Sequence, residues 1–131
     1  MEEKKYLGID WGEKRLGLAT GDTETKMALP FKTAASLAEI LAIIQAEEID
    51  EIIIGRPEKM SGDQDLPLTA GYLDFLSALQ KEIALPIIEI DERLSSKAAD
   101  ALGGHKKMTA GRDEIAAALI LQNYLDAQGR N

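Results

Sequence analysis

Tyr6-Leu7-Gly8-Ile9-Asp10-Trp11-Gly12-Glu13-Lys14-Arg15-Leu16-Gly17-Leu18-Ala19-Thr20 is the stretch from which the fold is read. Its arms, 6–10 and 16–20, are short alternating runs, and a Gly-containing turn lies between them, so the pattern predicts a β-hairpin. Alternation places Leu7 and Ile9 on one face of the first strand and Gly8 and Asp10 on the other. Asp10 thus ends a strand on the face away from the large apolar side chains. A carboxylate there can simply accept hydrogen bonds from the following turn, or it can carry chemistry.

Outward from the hairpin, Met27 to Phe31 reads as a third strand whose Pro30 suits a sheet edge or a strand end. The period then changes. Ser36 and Glu39 have the spacing of a capping box, and Leu37, Ile40, Leu41 and Ile44 recur at helical intervals. Glu51 to Gly55 is a β-branched run that reads as a buried strand. Leu73, Leu76, Leu79 and Ile83 mark a second helix, Pro86 to Ile90 a further strand, and Ser96 to Leu102 a short helix stopped by Gly103-Gly104. Ile115, Ala116, Leu119, Ile120 and Leu125 mark the last helix. A hairpin-rich start followed by strand–helix–strand units predicts an α/β protein, a five-stranded mixed sheet with helices on both faces. Its 131 residues show no repeat and no linker, so one domain over residues 1–131 is expected.

Composition excludes several kinds of chemistry. There is no cysteine, which removes disulfides, thiolate metal sites and cysteine nucleophiles and suits a cytoplasmic protein. His105 is the single histidine, so a multi-histidine metal site is excluded. No signal-peptide pattern is present, and no apolar run reaches the ~18 residues of a membrane span, so no membrane partner is expected. Fifteen Lys and Arg stand against 23 Asp and Glu, a net charge of −8, which taken alone speaks against a non-specific nucleic-acid binder. The distribution changes that reading. From Arg93 to Arg112, Arg93, Lys97, Lys106, Lys107 and Arg112 face a lone acid, Asp100, whereas 63–92 is strongly acidic. A local basic segment can meet phosphates while the remaining surface stays acidic, which predicts weak, salt-sensitive, metal-dependent binding.

The acids themselves form a pattern. Open α/β sheets place their sites at the carboxyl ends of strands. Asp10 ends the first strand, and Asp91-Glu92 ends the last one. Neighbours in a strand point to opposite faces, so only one of that pair can comfortably face Asp10. Asp113 opens the last helix, where the helix dipole alone would favour an acid. Carboxylates gathered without histidine or thiolate repel one another unless a hard cation neutralises them, and oxygen-only ligands select Mg²⁺ or Mn²⁺. Such a site suits in-line phosphodiester hydrolysis, where a divalent cation can activate water and neutralise the leaving oxygen.

Four segments resemble the motifs of the YqgF/RuvX family, in the family's order and across nearly the whole chain. Residues 8–19 are similar to its GIDxGxKRIGxA opening, Gly55-Arg56-Pro57 with Gly62 to its GLP…G segment, 91–96 to its DERLTT motif, and 113–126 to its closing DxxAAxxILQxYLD. The resemblance implies a ribonuclease H-like fold related to the Holliday-junction resolvase RuvC. It implies a metal-dependent endonuclease acting in 5′-end maturation of pre-16S rRNA, with a Holliday-junction resolvase on DNA as the alternative. It further implies Asp10, Glu92 and Asp113 as catalytic metal ligands for Mg²⁺ or Mn²⁺, with Asp91 the alternate to Glu92. Lys14, Arg15, Arg56, Arg93, Ser95, Lys107 and Arg112 are the candidate substrate-binding residues; Lys14 also reads as a solvated turn residue, and Arg56, where the family commonly has leucine, as a surface ion pair. Structured RNA, an rRNA precursor, is the expected partner and branched DNA the second. Junction resolution needs two sites and hence a dimer; a monomer or a homodimer fits the sequence. A non-catalytic binding module in ribosome assembly or transcription is the reading from another class. Trp11 is expected to cover the sheet edge, His105 to be a loop residue, and Tyr124 with the alanines of the last helix to pack.

Overall fold

The two arms of the opening hairpin become β1 (Lys5–Asp10) and β2 (Leu16–Asp22), paired antiparallel with Leu7 opposite Thr20 and Asp10 opposite Gly17. The structure, a computed structural model, describes residues 3–12, 14–56, 66–91 and 112–129. After the hairpin come β3 (Ala28–Ala34), α1 (Leu37–Ala46), β4 (Glu51–Arg56), α2 (Leu66–Glu82), β5 (Ile87–Asp91) and α3 (Arg112–Gly129). The sheet has the order β3-β2-β1-β4-β5. β3 joins β2 antiparallel, while β4 is parallel both to β1 and to β5, which gives the expected five-stranded mixed sheet.

Period-two alternation sorts the strands' side chains into two cores. Leu7, Ile9, Leu16, Leu18, Ile52 and Ile54 pack with Ile40, Ile43 and Ile44 of α1 and with Tyr72, Leu76 and Leu79 of α2. Tyr6, Ala19 and Ile53 pack with Ala117, Ala118, Ile120, Leu121 and Leu125 of α3. Helices thus cover both faces. β4 is buried on both sides, as its unbroken run of isoleucines requires. β3 takes the edge, where Pro30 removes no ladder hydrogen bond from a central strand. Among the described residues, no helix is long and apolar enough to cross a membrane.

Three local expectations are corrected. Leu73 is 47% exposed, and the core-facing stripe of α2 runs through Tyr72, Phe75, Leu76 and Leu79, with Ile83 just beyond its end. A stripe on 72, 75/76 and 79 keeps the 3.6 period without 73, and a tyrosine inside it is easily passed over for a leucine. The capping box is shifted. Ser36 Oγ accepts from the Glu39 N–H at 3.3 Å, but Glu39 Oε1 accepts from the Ala35 N–H at 2.9 Å, one residue before the cap. Trp11 does not cover the sheet edge. It lies edge-on to Tyr72 with ring centres 6.0 Å apart and fills the space over Gly71 of α2. The expected helix over 96–102 and the basic loop after it lie outside the described residues.

Candidate functional site

Asp10 is the last residue of β1 and is flanked by glycines on both neighbouring strands, Gly17 of β2 and Gly55 of β4. The bare backbone there admits α3. A Cβ at Gly17 would overlap the Asp113 carbonyl, and one at Gly8 would lie 2.9 Å from Leu121 Cβ and 3.0 Å from the Ala117 carbonyl oxygen. Gly8 and Gly17 thus form the seat of α3, and any side chain at either would lift the helix off the sheet. Because Gly17 is the strand partner of Asp10, seating the first turn of α3 on it brings Asp113 to the same end of the same face as Asp10.

Two further contacts hold α3 in this register. Gln122 Oε1 accepts from the Ala28 N–H at 2.9 Å, while its Nε2 donates to the Lys26 carbonyl and to Asp126 Oδ1, each at 3.0 Å. This ties the middle of α3 to the β2–β3 turn, where Lys26 takes a φ of 58°. Further along, Tyr124 meets Tyr6 edge-on at 5.6 Å and its hydroxyl donates to Glu51 Oε1 at 3.4 Å.

The carboxylates differ in their surroundings. Asp10 Oδ1 is buried and receives no hydrogen bond among the described residues, although the residue makes other contacts. Asp113 is half-buried, and its Oδ2 lies 3.4 Å from Nε of Arg15, an exposed residue of the β1–β2 turn. A buried carboxylate oxygen and a second acid at the same end of one sheet face are oxygen ligands of the kind that suit Mg²⁺ or Mn²⁺. No group of three such ligands is gathered among the described residues. The third expected ligand, Glu92, lies outside them, as do Arg93, Ser95 and Lys107. Its alternate Asp91 is the last residue of β5, in register with Arg56. Arg112 is the first residue of α3 and Lys14 is exposed in the turn.

Arg56 has a partner that the sequence did not reveal. Its Nε lies 3.8 Å from Glu89 Oε1, and Tyr72 donates its hydroxyl to the same oxygen at 2.7 Å. Glu89 is opposite Ile54 and in phase with Ile87, both of the α1/α2 core, so it stands on the face away from Asp10. That phase was the signal: an acid in phase with Ile87 stands beside the helix that covers that face, where Tyr72 meets it.

The profile described as "RuvX: Holliday junction resolvase" matches residues 4–127. The chain belongs to the RuvX family. Full-length relatives include a protein of Chloroflexus aggregans, 32% identical over 98% of this chain and 97% of its own. Another, from Maridesulfovibrio salexigens, is 36% identical over 92% of this chain and 97% of its own. Both carry the name "Putative pre-16S rRNA nuclease". Among solved structures, RuvC of T. thermophilus in complex with Holliday junction substrate superposes with a TM-score of 0.68 at 14% identity, covering 96% of either chain. The yeast mitochondrial Holliday junction resolvase Ydc2 gives 0.61 at 12% identity, over 97% of this chain and 80% of its own. At such identities the likeness is one of fold, and it gives this RuvX chain the RuvC-like, ribonuclease H-like fold that the family resemblance implied.

Proposed function

We propose that this RuvX-family chain is a divalent-cation-dependent endonuclease of structured nucleic acid, with pre-16S rRNA as its substrate and the cytoplasm as its place of action. The observation that supports this reading is the seating of α3 on Gly17, the strand partner of Asp10, which puts Asp113 at the same end of the same sheet face as Asp10. The names of the relatives support rRNA as the substrate.

Asp10 and Asp113 supply two of the cation's ligands. Glu92 is the proposed third, because it matches the acid of the family's DER motif; Asp91 is the alternate. A bound Mg²⁺ or Mn²⁺ would supply Lewis-acid stabilisation of the phosphate and lower the pKa of water. The chain's own residues bind and orient. Arg15, Arg93 and Arg112 offer planar forks to phosphate oxygens, Lys14 and Lys107 offer point charges, and Ser95 offers a hydroxyl, whereas Arg56 is paired with Glu89 on the other face. With a net charge of −8, these local contacts make binding salt-sensitive and dependent on the cation.

The decisive experiment compares an rRNA precursor, a four-way DNA junction and an unstructured RNA as substrates, with Mg²⁺ or Mn²⁺, for the wild type and Asp10→Asn. Discrete cleavage of the precursor, reduced at least about 100-fold by Asp10→Asn, is the expected result. Full cleavage by Asp10→Asn overturns the site. The family's description favours a second reading, junction resolution; cleavage of the junction alone, by a protein that sediments as a dimer, would establish it. Binding without cleavage, indifferent to Asp10→Asn, would mark a non-catalytic module.

A further inference from the structure

We propose that Arg15 is the resident counter-ion of Asp113, that a divalent cation displaces it, and that the freed guanidinium then binds a substrate phosphate. This rests on the cation site proposed above.

The two partners of the ion pair differ in freedom. Asp113 is held by its backbone, which lies on Gly17 so closely that no Cβ fits between them. The Arg15 main chain lies close to Gly12, where a Cβ would come 2.8 Å from its carbonyl oxygen, and among the described residues its side chain pairs with Asp113. Its side chain is 70% exposed and meets Asp113 Oδ2 through Nε at 3.4 Å. When the pair separates, the arginine is the partner that moves. An exposed pair of this kind contributes little, so separating it costs little.

Competition follows from charge. A guanidinium and a divalent cation cannot both approach one half-buried carboxylate without repelling each other. Once the cation neutralises Asp113, the attraction of that carboxylate for Arg15 is lost. Its five N–H donors then remain tethered at the rim of the site. A carboxylate uses at most two of them, and a phosphate matches the same fork. Cation and nucleic acid therefore bind cooperatively through one side chain, and by linkage each raises the affinity of the other.

The test uses the full chain and two readouts apart from cleavage. Mn²⁺ binding is measured calorimetrically without nucleic acid. Binding of a labelled RNA hairpin with Mn²⁺ is read by gel mobility, which separates intact from cut RNA. Arg15→Gln should bind Mn²⁺ about two- to fivefold tighter and the hairpin roughly tenfold weaker. Arg15→Lys should lie between wild type and Arg15→Gln in both. These opposite signs are not what a merely structural role produces. Weaker Mn²⁺ binding by Arg15→Gln would show that Arg15 orients Asp113, and unchanged Mn²⁺ binding would show no exchange; either overturns the proposal. Asp113→Asn, run in parallel, separates this from the underlying reading. If it leaves Mn²⁺ affinity unchanged, the cation site itself is wrong. If it weakens Mn²⁺ binding while Arg15→Gln fails to tighten it, the exchange alone is wrong.

Discussion

α3 meets a carboxylate–cation pair at each of its ends, and the two pairs are built in opposite ways. Towards its C-terminus the acid is Glu51, the first residue of β4, whose side chain is only 10% exposed and lies 2.8 Å from Lys4 Nζ. The hydroxyl of Tyr124 bonds the other oxygen, and Tyr6 closes the aromatic side of the group. At the N-terminus of α3 the acid is Asp113, 35% exposed at the side chain, with a longer and freely exposed contact to Arg15. The first acid is matched on both oxygens and shielded from water, so it fastens β1, β4 and α3 together. The second is fixed in position yet open to exchange, which is what a ligand site needs. Similar ion pairs beside the two ends of one helix hold the fold at one end and stay open to chemistry at the other, because of burial and of which partner can move.

The largest expected effect tests the open end. Asp113→Asn should reduce cleavage at least about 100-fold while changing unfolding free energy in urea by less than about 1 kcal/mol, since it loses an exposed pair and a first-turn charge. A larger loss of stability would make Asp113 a fastening like Glu51 and erase the contrast. Next, Gly17→Ala should destabilise by about 1–3 kcal/mol through overpacking and should also lower cleavage, because Asp113 moves away from Asp10. Retained cleavage with lowered stability would show that the site tolerates a displaced α3. At the closed end, Glu51→Gln should cost about 1–3 kcal/mol and leave cleavage per folded molecule unchanged.

The smallest effect is a pH dependence of stability confined to the closed end. Glu51 raises the pKa of the Lys4 ammonium above its ordinary 10.5, first by a hydrogen bond and then by its charge. Burial, and then the charge of Glu51, raise the hydroxyls of Tyr6 and Tyr124 above their ordinary 10.0. The lysine contribution is whole below its unfolded pKa and is lost as pH climbs through the folded value. The tyrosines act in the same direction, because the unfolded chain ionises them first. Stability in urea should therefore fall from about pH 10 upward, and Glu51→Gln should flatten that fall. An equally steep fall in Glu51→Gln would place its origin elsewhere.

Much of this was legible in the sequence because strands announce themselves by a period of two. The placement of Gly8 and Asp10 opposite Leu7 and Ile9 needed nothing more. The β-branched run of β4 and the edge proline of β3 were readable for the same reason, each being a local steric demand. Leu73 was misread because its neighbour Tyr72 serves the same helical stripe, and a one-residue phase error is invisible without the partner surface. Glu89 was passed over because its partners, Tyr72 and Arg56, come from two other elements. The shifted cap of α1 depended on a backbone N–H that spacing alone does not locate.

By itself the sequence determined the order of the elements, the class of the sheet, the face of Asp10 and the oxygen-only character of the candidate ligands. These follow from residue type and local period, which act over a few neighbours. Only the tertiary structure decided that Gly17 seats Asp113, that Gln122 ties α3 to the β2–β3 turn, and that Arg15 faces Asp113 while Arg56 faces Glu89. Those are close approaches between segments far apart in the chain, set by the packing of α3 on a bare strip of backbone. A glycine shows in the sequence only as a missing side chain, and what fills the space it leaves depends on the whole fold.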